Sequence, residues 1–201
     1  MAEEPKPDSI AHTDLAKPIV EEGVKLLDSL FGRSFKIAGE MLADQFHKWQ
    51  WQNRIRIAAR AEQILKQNKI ASRVLPKGFL LNFVEKAGNV EDETLQEIWA
   101  RLLAAAVAND DRQDPLLLSV AERFMPSDAK LLDKLSKEVT QEWSNHDDLG
   151  MQRLRALGLL NNKLQERTVR PGDPIQSASL YNLVFTGIAK QLIAAIQTPS
   201  K

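Results

Sequence analysis

The stretch Glu93–Val107, ETLQEIWARLLAAAV, decides the fold of this chain. Its apolar residues recur at the spacing i, i+3, i+4, i+7, which places them on one face of an α-helix. They are Leu95, Ile98, Trp99, Leu102, Leu103, Ala106 and Val107. Neither glycine nor proline interrupts the stretch, and Ala, Leu, Glu, Gln and Arg favour the helical conformation. We therefore predict a central core helix, with the flanking segments folded against its Trp99 face.

The composition bounds the class of protein. The chain has 201 residues, 43% hydrophobic and 27% charged, which suits one large globular domain or two small ones. With a net charge of +0, the chain as a whole does not attract nucleic acid or anionic lipid, so binding to either requires a local patch of basic residues. The absence of cysteine excludes disulfides, thiolate metal sites and a cysteine nucleophile. The acidic start MAEEPKPDS does not read as a signal peptide, and no run of about 18 apolar residues predicts a membrane span. The lack of cysteine fits a reducing compartment.

The N-terminal half predicts long helices. Residues 1–17 are polar and lack periodicity, so we expect a disordered tail, followed by a helical domain over residues 18–125. A first helix begins near Pro18 and ends or bends at Gly32, and a second runs from about Ser34 to Asn68. Two interpretations of residues 18–46 remain open. They form a hairpin packed on the core, or a surface that meets a membrane or another subunit, where sparse Lys and Arg favour a protein over lipid.

An aromatic and basic segment, HKWQWQNRIRIAAR, lies within the second helix. Trp49 and Trp51 are about 200° apart on a helix, so one of them faces away from the main apolar stripe. Either the tryptophan rings stack with bases and the interleaved basic residues grip phosphates, or the helix is buried on two sides and its arginine stems cover the rings. The candidate binding residues of this segment are Trp51, Arg54 and Arg56.

The middle of the chain predicts shorter helices with definite ends. A helix over Gly78–Ala87 ends at Gly88, which we expect to be a left-handed cap. Asn89 or Asp92 caps the core helix. Another helix covers Leu116–Met125, and Ser127 or Asp128 caps the one that follows.

Acidic residues and histidines offer weak candidates for chemistry. The loop NDDRQDP after the core helix lacks the alternating oxygens, central glycine and distal glutamate of a calcium loop. His146, Asp147 and Asp148 are adjacent in a polar loop, with no nucleophile nearby in the sequence, and Asp148 suits a helix cap. We therefore predict no catalytic residue, no metal ligand and no cofactor, so the protein is not an enzyme. A hydrolase that uses the Asp-rich loop or His146 is the weakest alternative.

The C-terminal part, residues 126–201, has the element order of a winged helix. A helix from Ser127 is followed by a helix over Leu149–Leu157 that ends at Gly158. A two-strand ribbon returns through Leu180–Phe185, and Thr186 caps a final helix over Gly187–Ile196. The predicted fold is mainly α, with an N-terminal long-helix bundle and a C-terminal winged-helix-like module that carries a small β-ribbon.

The wing has two open interpretations. It is a structural or protein-binding module, or it binds DNA with the helix Leu149–Leu157 in the major groove. In the DNA-binding interpretation, two arginines of this helix point about 200° apart, so one of them faces the major groove. Basic residues of the ribbon contact the DNA backbone. The residues concerned are Arg153, Arg155, Lys163, Arg167 and Arg170.

Three stretches in this order, FHKWQWQNRIRIAARAEQIL, ETLQEIWARLLAAAV and RFMPSDAKLLDKL, are followed by LRALGLL and VFTGIAKQLIAA. Together they resemble the bacterial abortive infection alpha (Abi-alpha) family over roughly Phe35 to Ala195. One departure is Met125-Pro126-Ser127, where the family pattern often has Ser-Pro. The resemblance implies a cytoplasmic bacterial protein linked to phage defence that causes dormancy or death of infected cells. It transfers no catalytic residues.

These observations favour a phage-defence protein that acts through protein or membrane interaction, and a winged-helix DNA-binding regulator is the alternative. The expected partner is another protein or a second copy of the chain. DNA and a peripheral membrane contact remain alternatives, and no small-molecule substrate is evident.

Overall fold

The computed structural model describes residues 17–31, 48–109, 112–138, 148–164 and 181–197, and they form α-helices with one small sheet. The first four helices are α1 (Lys17–Phe31), α2 (Lys48–Gln67), α3 (Lys77–Ala87) and α4 (Glu93–Ala108). They are followed by α5 (Pro115–Ala121), α6 (Pro126–Ser136), α7 (Leu149–Ala156), β1 (Leu160–Leu164), β2 (Tyr181–Phe185) and α8 (Gly187–Gln197). The prediction of a mainly α fold with a small ribbon is confirmed.

Helix α4 is the centre of the fold, as predicted. The Asp92 side chain caps it by accepting a hydrogen bond of 3.0 Å from the Leu95 amide. Trp99 is 1% exposed, and its ring lies at a tilt of 58° to the ring of Phe83, with 5.6 Å between centroids. Helices α2, α5, α6 and α8 all pack against α4, so most of its circumference is removed from water.

Helix α1 crosses α2 at very short range. A Cβ atom on Gly23 would lie 2.4 Å from the Ile55 carbonyl oxygen, so only glycine allows this approach. The approach lets α1 bury Leu26, Leu27 and Leu30 in the main core. Residues 34–47 of the predicted second helix and residues 1–16 of the predicted tail lie outside the described residues, whereas Lys17, predicted as the end of the tail, begins α1.

Two predicted helix caps were wrong, and the helix predicted over Leu116–Met125 ends earlier, at Ala121. Gly88 has φ −60°, so it is right-handed, and a side chain there would meet the Arg54 guanidinium at 2.4 Å. Glycine is therefore needed at this position for space. Helix α6 begins at Pro126 with Met125 as its cap residue, and Asp128 accepts a 2.8 Å hydrogen bond from the Met125 amide. Pro126 suits the first turn of a helix, and this moves the start ahead of Ser127.

The C-terminal elements follow the predicted order. Asp148 caps α7, and Gly158 after it is left-handed with φ 77°. Strands β1 and β2 pair antiparallel, with Leu160 opposite Phe185. The Thr186 hydroxyl accepts a 3.2 Å hydrogen bond from the Ala189 amide at the start of α8. The ribbon tip lies outside the described residues.

One hydrophobic core joins residues from both sides of the predicted domain boundary at residue 126. Trp99 of α4, Leu132 of α6 and Leu192 of α8 belong to the same buried cluster. The C-terminal helices therefore depend on α4 for burial, while the division into two domains stays a prediction.

The Gly23 contact gives a stability prediction. The Gly23→Ala substitution forces the α1–α2 crossing apart, so we expect the free energy of unfolding to fall by about 1–3 kcal/mol, although alanine favours helix by about 1 kcal/mol. Gly78→Ala is the matched control, because a Cβ there meets nothing within 4 Å. In urea unfolding, the Gly78→Ala variant should have the same free energy of unfolding as wild type, or a higher one. Equal stability of both variants would contradict the close-approach interpretation.

Candidate interaction surface

The central helix reaches the surface along one polar stripe. Thr94, Glu97 and Arg101 lie three and four residues apart, so they share a face of α4. The Arg101 Nε donates a 2.8 Å hydrogen bond to the Glu97 carboxylate. Each side of the stripe borders a groove, and both grooves include these three residues. The stripe therefore lies between two grooves, and together they form one concave surface along α4.

The first groove lies between α2 and α4 and is mostly polar. Its volume is about 530 Å³, and Arg60, Gln63 and Gln67 line it from α2. Arg60 Nη1 donates a 3.1 Å hydrogen bond to the Glu93 carbonyl oxygen, which ties α2 to the start of α4. A neighbouring hollow of about 400 Å³ extends the groove past Arg56 to Ile19 of α1.

The second groove lies between α4, α6 and α8, and we call it the Ile196 groove. Its volume is about 460 Å³. Its residues are Thr94, Glu97, Ile98, Arg101, Ala129, Lys130, Asp133, Lys137, Ile196 and Gln197. Ile98, Ala129 and Ile196 are buried and provide an apolar floor, while the charged residues form the rim.

Internal bonds hold the rim of the Ile196 groove in place. Arg101 Nη1 donates a 2.9 Å hydrogen bond to the Ile196 carbonyl oxygen in the last turn of α8, where a cation also complements the helix dipole. Lys137 pairs with Asp133 at 2.6 Å. Lys130 makes no ion pair among the described residues. The groove thus combines an apolar floor with a cation available to a partner, an arrangement that suits binding of a polypeptide side chain.

The three predicted binding residues of α2 lie in three different environments. Trp51 is half-buried and packs against the core cluster. Arg56 is half-buried and lines the hollow beside Ile19. Arg54 is 1% exposed, and its Nε donates a 2.6 Å hydrogen bond to the Val84 carbonyl oxygen. This position corrects the expectation that Arg54 faces a partner, because its guanidinium lies inside the fold.

Arg54 belongs to a buried polar layer between α2 and the α3–α4 connection. The Asn53 amide donates a 3.1 Å hydrogen bond to the Gly88 carbonyl oxygen, and the Gln96 amide donates one of 2.9 Å to the Val90 carbonyl oxygen. Burial lowers the pKa of the Arg54 guanidinium from its ordinary value. These bonds satisfy carbonyl groups of the turn, so the layer serves the fold.

The predicted residues of the wing separate into one structural arginine and two surface cations. Arg153 grips Asp128 of α6 with two hydrogen bonds, 2.9 Å from Nε and 2.7 Å from Nη2. Arg155 of α7 and Lys163 of β1 are exposed. Arg167 and Arg170 lie outside the described residues. Of the arginine pair, Arg155 is therefore the one that faces solvent.

Sequence reasoning did not identify the Ile196 groove. Glu97 and Arg101 carry a local signal, since an i, i+4 pair of opposite charges marks the polar stripe of a helix. Lys130 and Ile196 come from helices far apart in the chain, and no local pattern shows that they share a groove with α4.

Metal-binding clusters and membrane-spanning helices are both absent from the described part of the chain. No group of three or more His, Cys, Asp or Glu side chains there is arranged to hold a metal ion. The helices described there also include none with the length and apolar character needed to cross a membrane.

The Asp128–Arg153 pair fixes α7 against α6. Burial opposes ionisation of Asp128, but the hydrogen bonds from Arg153 and the Met125 amide outweigh this effect, so the pKa of Asp128 is lowered. The pKa of Arg153 is raised mainly by its hydrogen bonds to Asp128. Both groups are therefore charged at neutral pH, and the pair orients the exposed face of α7.

Comparison with known families found a match. The family described as abortive infection alpha matches residues 52–195, from the second turn of α2 to the last turn of α8. Comparison with curated proteins and with solved structures found no match. Helix α1 lies outside the matched region, whereas the Ile196 groove lies within it except for Ile196 and Gln197.

The Asp128 carboxylate gives a pH-dependent prediction. Asp128→Asn should lower the free energy of unfolding by about 1–3 kcal/mol at pH 7, because it weakens a buried charge-assisted contact. Since the native pKa is lowered, the stabilisation is full above the unfolded value of about 4 and is lost as pH falls through the native pKa. Urea unfolding of both proteins at pH 7 and in acid should therefore show a difference that shrinks in acid.

The control for this prediction is Asp133→Asn, which removes an exposed ion pair with Lys137. We expect it to change stability by less than about 1 kcal/mol at either pH. An Asp128→Asn effect that stays constant through the acid range would contradict the role of the charged carboxylate.

Proposed function

Because the chain belongs to the abortive infection alpha family, we propose that it is a phage-defence protein that halts infected cells from the bacterial cytoplasm. The family match over residues 52–195 carries this proposal. We further propose that it acts by binding another protein and without catalysis. The concave surface along α4 supports a binding role, since hydrogen bonds from Arg60 and Arg101 hold the grooves in shape and Lys130 on the rim makes no ion pair among the described residues.

A protein partner fits the charges better than a lipid surface. A helix that lies on an anionic membrane usually has a basic polar face. The exposed face of α1 instead alternates in sign, with Lys17, Glu21, Lys25 and Asp28. The rims of the grooves also mix carboxylates with cations. Mixed charge of this kind favours a polypeptide with matching charges of both signs.

A winged-helix regulator is the second candidate function, and one observation favours it. The order α6, α7, β1, β2, α8 agrees with a winged helix, and Arg155 and Lys163 are exposed on the elements that would face DNA. Asp128 holds Arg153, which leaves fewer cations for phosphate contacts in the described part of the module. This makes the DNA function the weaker candidate.

A phage challenge tests the leading proposal. Cells that express the protein should yield fewer or smaller plaques than cells with an empty vector. If infected cells stop growing before new phage particles are released, the culture should survive a low ratio of phage to cells and collapse at a high ratio. A Trp99→Ala variant, expected to lose about 3–5 kcal/mol of stability, is the unfolded control. Unchanged plaque number and size across a broad phage panel would reject the defence function.

A salt-titrated binding assay tests the second candidate. On the DNA hypothesis, anisotropy of a labelled duplex should show affinity that falls steeply with salt, and Arg155→Ala or Lys163→Ala should reduce the slope by about one. Arg123→Ala, which removes an exposed arginine outside the wing, should leave the slope unchanged. No binding at low salt would reject DNA as the partner.

A further inference from the structure

We propose that the chain assembles head to tail, with Leu81 and Glu85 on α3 of one copy docked in the Ile196 groove of the next. The inference deepens the proposed protein-binding function and rests on it only in treating the groove as a protein-binding surface. It names a second copy of this chain as the occupant. This docking is supported by the exposed face of α3, by a groove cation that makes no ion pair among the described residues, and by the order of charges on both surfaces.

The outer face of α3 carries an apolar side chain that the fold leaves uncovered. Leu81 is 62% exposed, although its neighbours Phe79 and Phe83 are buried. A Cβ at Gly78, one turn before Leu81, would meet nothing within 4 Å, so the backbone around Leu81 is open to a close approach. Glu85 is exposed one turn after Leu81 on the same face.

The combination of an exposed apolar residue and an exposed carboxylate one turn later distinguishes α3 among the described residues. Leu116 is followed at that distance by Ser119 and Val120, and Leu149 by Gln152 and Arg153. Met125 is followed by Asp128, but Arg153 already binds that carboxylate. Val74 lies in a loop. Leu81 with Glu85 is therefore the exposed pair that presents both an apolar anchor and an available anion.

The Ile196 groove has the complementary features. Its apolar floor of Ile98, Ala129 and Ile196 is large enough to receive a leucine side chain in a volume of about 460 Å³. Lys130 on its rim is exposed and makes no ion pair among the described residues. A leucine in the groove thus removes apolar area from water, and a carboxylate one turn away meets Lys130.

The sign of charge along both surfaces agrees with this docking. Lys77, Leu81 and Glu85 lie at i, i+4 and i+8, so α3 presents a cation, an apolar anchor and an anion over about 12 Å. The groove presents two carboxylates, Glu97 and Asp133, and the exposed cation Lys130 around its apolar floor. With Glu85 at Lys130, Lys77 lies at the other end of the α3 face and is available to a carboxylate of the rim.

The two surfaces differ, so the contact is heterologous. Each copy offers α3 to one neighbour and its groove to another, and such contacts produce a ring or an open filament. One helix face in one groove buries less area than a standard interface of about 1,200–2,000 Å², so association should require concentrations on the order of tens of micromolar.

Analytical ultracentrifugation of the full chain tests the assembly. Wild type should show mass that grows with concentration, whereas Leu81→Asp and Lys130→Glu should each stay monomeric. The matched controls are Leu149→Asp, at an exposed leucine of α7, and Lys134→Glu, at an exposed lysine of α6 that does not line the groove. Both controls should associate like wild type. Circular dichroism checks that each variant is folded.

Mixing and charge reversal make the test specific. Leu81→Asp retains its groove and Lys130→Glu retains its α3 face, so an equimolar mixture should form dimers that cannot extend. The double variant Glu85→Lys with Lys130→Glu should regain association, and it changes only exposed charges, so it stays informative if Leu81→Asp misfolds.

Three outcomes would overturn the proposal. They are a monomeric wild type up to a few hundred micromolar, far above the expected range, a mixture without dimers, and a double variant that fails to associate. Plaque assays are independent of these measurements, so failure of the assembly and failure of the defence function can be told apart.

Discussion

The burial of α4 is the constraint on which the rest of the structure depends. A helix that is apolar around most of its circumference is stable in water only when neighbouring elements cover it. Trp99, with its ring against Phe83, is the largest of its buried side chains. Helices from both halves of the chain provide the cover, and this is why α6 and α8 end beside the start of α4. The grooves exist because the cover stops at the polar stripe of Glu97 and Arg101.

Local chemistry predicted most helix and strand positions. The apolar spacing and the Asp92 cap located α4, and Asp148, Gly158 and Thr186 marked ends in the C-terminal part. These signals are reliable because capping involves residues only two or three positions apart. The resemblance to the abortive infection alpha family is likewise a matter of core patterns, and the family match confirms it.

Long-range contacts explain what could not be predicted. Gly88 was assigned to a left-handed cap, but the Arg54 guanidinium, from a residue 34 positions earlier in the chain, decides its identity. Arg54 was predicted to be a surface cation, because no residue near it in the sequence indicates its hydrogen bond to the Val84 carbonyl oxygen inside the fold. The Ile196 groove combines residues of three helices for the same reason. A charged side chain that its local sequence assigns to solvent or to a ligand can instead form a hydrogen bond with backbone that is distant in the sequence.

Helix α1 has a consequence for what counts as the folding unit. The family match starts at residue 52, yet Leu26, Leu27 and Leu30 of α1 are fully enclosed against α2 and its neighbours. Each such leucine contributes about 1.5–3 kcal/mol by its burial. A protein that begins at residue 52 would expose the apolar surface of α2 that α1 covers and would tend to aggregate. Recombinant work on this protein should therefore retain the chain from Lys17 onward.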